Sequence, residues 1–217
     1  TEMARGIQIS AVLARDANQD VIVYHSKKEK NKIIGTGSLR RKAQWLRKYP
    51  EYKVENLRGN IQKRLEKLEQ SSWTGAIFSQ AGIERLGLSS IKYEPLDWMI
   101  SAPAQGVVGI ASLNSNIEIQ PYLRKINCEQ TELCVKVERT FLNILEGGCT
   151  APIGAYSKIK NNRLVFKGGL FSLDGKEAIT LNDQIPLNQY KEFGEKAARK
   201  ILKQGGVSLL KKIKSEV

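Results

Sequence analysis

Apolar positions fall into blocks whose spacing alternates between strand-like and helical, and the changes of spacing mark out the elements. Residues 6–15 alternate and then run apolar, which predicts a strand, whereas 16–26 fit no single pattern. Ile33 and Ile34 end a short buried strand, Gly35-Thr36-Gly37 makes a tight turn, and Ser38 is placed to N-cap a helix over 39–48. The pattern recurs with a strand over 53–57, a turn at Arg58-Gly59-Asn60 with Asn60 a candidate N-cap, and an amphipathic helix over 61–70. A third unit places a strand at 75–79 and a helix at 80–86. Three such units in succession predict a parallel or mixed α/β sheet.

Beyond Met99 two short apolar runs flank a Pro/Gln/Gly break, as in a strand that passes through a hinge into a second strand over 107–113. A short helix over 119–125 and a long one over 129–146 follow. In the long helix Leu133, Val137, Phe141, Leu142 and Leu145 share one face, and Cys134 belongs to the same core. The chain then changes character. Three strands at 153–160, 164–173 and 177–185, turning at Asn161-Asn162 and Asp174-Gly175, precede helices over 187–203 and 207–214. That is an α+β arrangement, an antiparallel three-stranded sheet with helices.

The three cysteines, Cys128, Cys134 and Cys149, have no disulfide-framework spacing. The one histidine, His25, reads as a surface residue in a polar stretch, which makes a zinc site or a His-based triad improbable; no metal is expected. No apolar run has membrane-spanning length and no signal peptide is evident, so the expectation is a soluble cytoplasmic protein without a membrane partner. The net charge of +13 invites a nucleic-acid reading. Much of it lies in short lysine clusters with no RNA- or DNA-binding motif beside them, and no nucleic-acid partner is expected.

The arginines are more selective. A strand feeding a helix through small residues leaves free N–H groups at the helix start, which favour an anion. Arg40 and Arg41 lie in such a first turn, where they oppose the helix dipole, so helix stability does not explain them. Ligands of α/β sheets bind at the carboxyl ends of the strands, where Arg40, Arg41, Arg58, Arg64 and Arg85 are expected to converge. Any one of them reads equally as half of a surface ion pair of little energetic value. Several at one edge fit a polyanion better, at about 1.5–3 kcal/mol for each charged hydrogen bond. Phosphate-binding glycine fingerprints are missing, which leaves carboxylates. Cys149 follows Gly147-Gly148 on a turn between helix and strand. It is either a small buried filler or a positioned thiol, and at a helix C-terminus its pKa is expected to rise rather than fall.

Five motifs in order carry a family resemblance: Gly35-Thr-Gly-Ser-Leu-Arg-Arg41, Leu57-Arg-Gly-Asn60, Ala81-Gly-Ile-Glu-Arg-Leu-Gly87, Pro103-Ala-Gln-Gly106 and Glu146-Gly-Gly-Cys-Thr-Ala-Pro-Ile-Gly154. Together the chain resembles the porphobilinogen deaminases, or hydroxymethylbilane synthases, of tetrapyrrole biosynthesis. The resemblance implies a transferase that joins four porphobilinogen molecules with loss of ammonia, on a dipyrromethane cofactor thioether-linked to Cys149. It implies that Thr36, Ser38, Arg40, Arg41 and Arg58 contact this cofactor, and that Arg64, Arg85 and Gln105 serve the substrate. It implies an α/β unit of periplasmic-binding-protein type over 1–101, a hinge and returning segment of a second such domain over 102–126, and a C-terminal α+β domain over 127–217. The family's catalytic aspartate, in a Lys-Asp pair, is expected upstream of Thr1. The corresponding expectations are that this chain alone is inactive or nearly so, that its Cys149 is a free thiol, and that residues 107–113, without sheet neighbours, are disordered, re-paired or self-associated. The alternative is an arginine-lined dicarboxylate-binding protein.

Overall fold

A computed structural model describes residues 3–27, 31–145 and 151–216. Its largest sheet is built around two strands buried on both faces. In β2 (Asp20–Tyr24) and β5 (Gly75–Ser79) the apolar run is continuous, and successive side chains enter opposite cores. Val21, Val23, Ala76 and Phe78 pack with Leu57, Leu68 and Ile83, whereas Ile22 and Ile77 pack with Ile34, Trp45 and Met99. The antiparallel register sets Ile22 against Ile77 and Val21 against Phe78, so each pair feeds one face.

With β3 (Ile33–Gly35), β4 (Lys53–Glu55) and β6 (Glu94–Pro95) the order is β4-β3-β5-β2-β6. Strands β3, β4 and β5 are parallel, as the three strand–turn–helix units require, and β2 and β6 run antiparallel to their neighbours. The connecting helices are α1 (Leu39–Lys48), α2 (Ile61–Glu69) and α3 (Gln80–Arg85). Ser38 and Asn60 are the N-caps of the first two, each accepting a backbone N–H from its helix.

A separate two-stranded ribbon pairs β1 (Ile7–Val12) antiparallel with β7 (Gly109–Leu113). Residues 107–113 are therefore not without a sheet neighbour: β1, which precedes the main sheet in sequence, pairs here instead. The ribbon and α4 (Gln120–Ile126) expose Ile9, Leu113 and Tyr122. The connections on either side of it run together, with Leu13 N–H donating to Val108 O and Asp16 N–H to Gly106 O.

The C-terminal part packs α5 (Glu129–Ile144), α6 (Phe193–Ile201) and α7 (Val207–Glu216) against an antiparallel sheet. Its strands are β8 (Ile153–Lys160), β9 (Arg163–Phe171) and β10 (Ala178–Pro186), in the order β10-β9-β8. Phe166 meets Phe141 and Phe193 edge-on, at 5.1 and 5.4 Å. Cys134 lies in this core, where burial pushes its thiol pKa up. Asn161 and Asn162 both have positive φ, as a two-residue hairpin turn needs. The helix expected over 187–203 is divided: a 3-10 segment covers Leu187–Glu192, and the chain kinks at Gln204 and Gly205 between α6 and α7. The β9–β10 connection docks on α1. A Cβ at Gly175 would stand 2.4 Å from Ala43 O, and Arg47 donates to Lys176 O.

His25 corrects the sequence reading, being 3% exposed. It follows β2 directly, its N–H donates to Thr74 O, and its Nδ1 accepts from Lys27 N–H. The polar neighbours that made it look superficial, Ser26 and Lys27, are exposed beyond the strand end.

Candidate functional site

The turns after β3 and β4 abut. A Cβ at Gly37 would stand 2.7 Å from Leu57 O and 3.5 Å from Arg58 Cγ, so only a residue without a side chain lets them meet. Thr36 is buried; its N–H donates to Glu55 O and its Oγ1 accepts from Ser38 N–H. Arg58 is thereby brought beside the start of α1. Arg64 lies on the first turn of α2 and donates from Nε to Gly59 O.

Arg40 and Arg41 point inward. Between them sits Asp20, the first residue of β2, with 0% exposure. Arg40 Nη1 donates to Asp20 Oδ2 at 2.5 Å and Nη2 to Oδ1 at 3.2 Å; Arg41 Nε donates to Oδ1 at 2.9 Å. Arg40 also commits Nη1 to Ile100 O and Nη2 to Gln105 Oε1. Arg41 sends only Nη1 elsewhere, to Ile77 O, and its Nη2 has no partner among the described residues. Gln105 closes the cluster, donating from Nε2 to Asp20 Oδ1 and Asn18 O.

One carboxylate faces two guanidiniums, so the cluster keeps a net positive charge. Burial alone would raise the Asp20 pKa, but Arg40 and Arg41 outweigh it and hold the carboxyl below its ordinary value. Burial pushes Arg41 down while Asp20 pulls it up; a guanidinium starts so high that it keeps its proton.

A second buried carboxylate, Glu138 on α5, also has 0% exposure. It accepts from Arg15 Nη2, Ala104 N–H, Ser157 N–H and Ser157 Oγ–H. Arg15 in turn reaches Gln105 O, and its guanidinium stands 5.3 Å over the Tyr156 ring. Burial raises the Glu138 pKa, and Arg15 opposes that shift.

The structure thus gathers Thr36, Ser38, Arg40, Arg41 and Gln105 about one turn and its buried acid, with Arg58 and Arg64 on the neighbouring turn. Arg85 is elsewhere: it pairs with Asp16 at 2.6 Å and donates to Gly106 O beside the crossing segments. Cys149 lies outside the described residues. Sequence reasoning misses Asp20, Arg15 and Glu138. The signal for Asp20 is there, since tandem arginines that oppose a helix dipole need a buried counter-charge and an acid opens the most apolar strand. Among the described residues no group of three or more metal-ligating side chains is found, and no helix is long and apolar enough to cross a membrane.

A mixed α/β sheet joined to an antiparallel α+β part carries a cluster of arginines at one edge of the sheet, an arrangement suited to an anion. Residues 1–121 match the family model described as porphobilinogen deaminase, dipyromethane cofactor binding domain, and residues 132–203 match porphobilinogen deaminase, C-terminal domain. The chain belongs to the porphobilinogen deaminase family. Curated relatives named porphobilinogen deaminase include those of Desulforamulus reducens, 33% identical over 99% of this chain and 72% of the relative, and of Synechococcus sp. strain RCC307, 33% over 100% and 71%. That of Campylobacter jejuni serotype O:6 is 35% identical over 98% of this chain and 72% of the relative. The alternative of a dicarboxylate-binding protein finds no support in these comparisons.

Proposed function

We propose that this chain serves tetrapyrrole biosynthesis as a hydroxymethylbilane synthase, condensing four porphobilinogen molecules with release of ammonia, in the cytoplasm. The reading is carried by an edge of hydrogen-bond donors within the residues matched by the cofactor-binding family model: the free Nη2 of Arg41, with Arg58 and Arg64 in no ion pair among the described residues. Such a set fits a group whose pyrroles each carry two carboxylates, because guanidinium remains charged and grips carboxylate through paired donors. When bound, the dipyrromethane supplies the primer for the growing chain, and Cys149 is the proposed attachment point. Arg41, Arg58 and Arg64 hold carboxylates of the primer or the substrate, and Thr36 and Ser38 shape the turn that presents them. Arg40 and Gln105 act indirectly, by fixing Asp20 and with it the orientation of Arg41. Arg85 contributes from beside the crossing segments.

We further propose the division into an α/β unit (1–101), a hinge and returning segment (102–126) and a C-terminal unit (127–217). The pairing of β1 with β7 favours counting β1 with the returning segment. A periplasmic-binding-protein type for the α/β unit draws support from β2, which enters from the crossing segments and runs against its neighbour β5. The test is intact-mass analysis of protein incubated with porphobilinogen. The cofactor-binding match reverses the free-thiol expectation drawn from the sequence: a dipyrromethane mass increment, lost in Cys149→Ser and reduced in Arg41→Ala, is expected; no increment in the unaltered chain restores the free-thiol reading, and an increment unchanged in Cys149→Ser overturns the attachment.

A further inference from the structure

A cleft of about 270 Å³ separates the main sheet from the C-terminal sheet. One wall is the outer face of β8 and β9. Tyr156 is opposite Lys167 and Lys158 is opposite Val165, so all four project from one face, with the two lysines on diagonal positions. Diagonal Cα atoms lie roughly 7–8 Å apart, close enough for both ammonium groups to reach one small ligand. The other wall comes from residues 96–101, with Leu96 and Met99 supplying apolar surface and Trp98 an aromatic ring. Asn18 and Ser101 add polar atoms between the walls.

The charges in this cleft are unbalanced. Neither Lys158 nor Lys167 makes an ion pair among the described residues, and the Tyr156 hydroxyl has no hydrogen bond there. The one carboxylate of the lining, Asp97, accepts from the neutral Gln19 Nε2 at 2.5 Å and keeps its charge, so the lining carries one net positive charge. Lys48 adds a further cation 4.5 Å over the Trp98 ring. A space with aromatic and aliphatic surface, two unpaired ammonium groups and a free phenol favours a flat apolar body bearing acidic groups. Hydrated inorganic anions would gain from the ammonium groups and nothing from the apolar walls.

We propose that this cleft is a second ligand site, distinct from the arginine turn, for a small aromatic dicarboxylate. The cleft and the arginine cluster share a residue: Ile100 lines the cleft, and its carbonyl accepts from Arg40 Nη1 at 2.7 Å. A ligand in the cleft therefore bears directly on a residue that fixes Arg40.

The test is isothermal titration calorimetry of the full chain with phthalate as the probe, beside inorganic phosphate at matched ionic strength. Phthalate is expected at the cleft as well as at the arginine turn, which the proposed function assigns to carboxylates, so the cleft is read in an Arg58→Ala background, where one site is expected. The double variant Lys158→Ala/Lys167→Ala should bind it at least about fivefold more weakly, the worth of two exposed charge contacts of ordinary strength. Trp98→Leu should also weaken it. Both lysines are exposed, and far-UV circular dichroism verifies that their variant folds. No saturable heat with phthalate, or wild-type affinity in the double-lysine variant, overturns the site. Equal affinity for phosphate overturns the ligand class, and loss of binding in Arg58→Ala moves the ligand to the arginine turn.

Discussion

Asp20 and Glu138 are both fully buried carboxylates, yet their surroundings shift them in opposite directions. Asp20 faces two guanidiniums, whose field outweighs burial. Glu138 faces one guanidinium, two backbone N–H groups and a hydroxyl, and burial prevails. The first arrangement leaves positive charge over, with Arg41 Nη2 unpartnered among the described residues. The second is electrically closed, and its donors reach α5 from the 13–16 connection, the 102–106 turn and β8, so it acts as a joint. Local charge balance separates an acid that prepares a binding surface from one that fastens elements together.

The largest way to break the contrast is Glu138→Ala, which leaves the mostly covered Arg15 without its partner. A loss of about 3–5 kcal/mol in urea unfolding is expected. Asp20→Asn comes next. It keeps the shape but sets two guanidiniums against a neutral amide, for a loss of about 2–4 kcal/mol together with loss of primer loading in the intact-mass assay.

The pH dependence sharpens the same contrast. Asp20 has a folded pKa below its ordinary value of 3.8, so its contribution is complete above that value and disappears as pH falls through the folded pKa. Glu138 has a folded pKa above its ordinary 4.5, so its contribution is complete below 4.5 and declines as pH rises through the folded pKa. Stability measured across acidic pH should therefore lose its low-pH fall in Asp20→Asn and its decline above 4.5 in Glu138→Gln. If both variants flatten the same limb, the contrast is wrong. The smallest effect belongs to Arg85→Ala. Its pair with Asp16 is roughly half exposed at both ends, and a change of at most about 0.5–1 kcal/mol, fading with added salt, is expected.

Much of the architecture is legible because period and punctuation agree. Ser38 and Asn60 announce two helices, Asn161-Asn162 a hairpin, and the apolar stripe of α5 its buried face. Strand β2 is illegible for a physical reason. A strand covered on both faces has no alternation, and its first residue is an acid whose burial depends on arginines 20 and 21 positions away. Arg15 and Glu138 escape for the same reason, being separated by 123 positions and recognisable only once the chain has folded. The arginine motif is visible in the sequence, but the division of labour within it is not: nothing in Leu39-Arg40-Arg41 says which guanidinium is committed inward and which keeps a free edge.

The paired connections between the ribbon and the rest of the molecule have a mechanical consequence. Residues 13–16 lie against 106–108 and are laced to them by two backbone hydrogen bonds. Neither strip can swivel independently of the other without breaking that lacing. Displacement of the ribbon would carry both strips together, and Val12, which is bonded to Asn127 and Cys128, would draw the start of α5 with it.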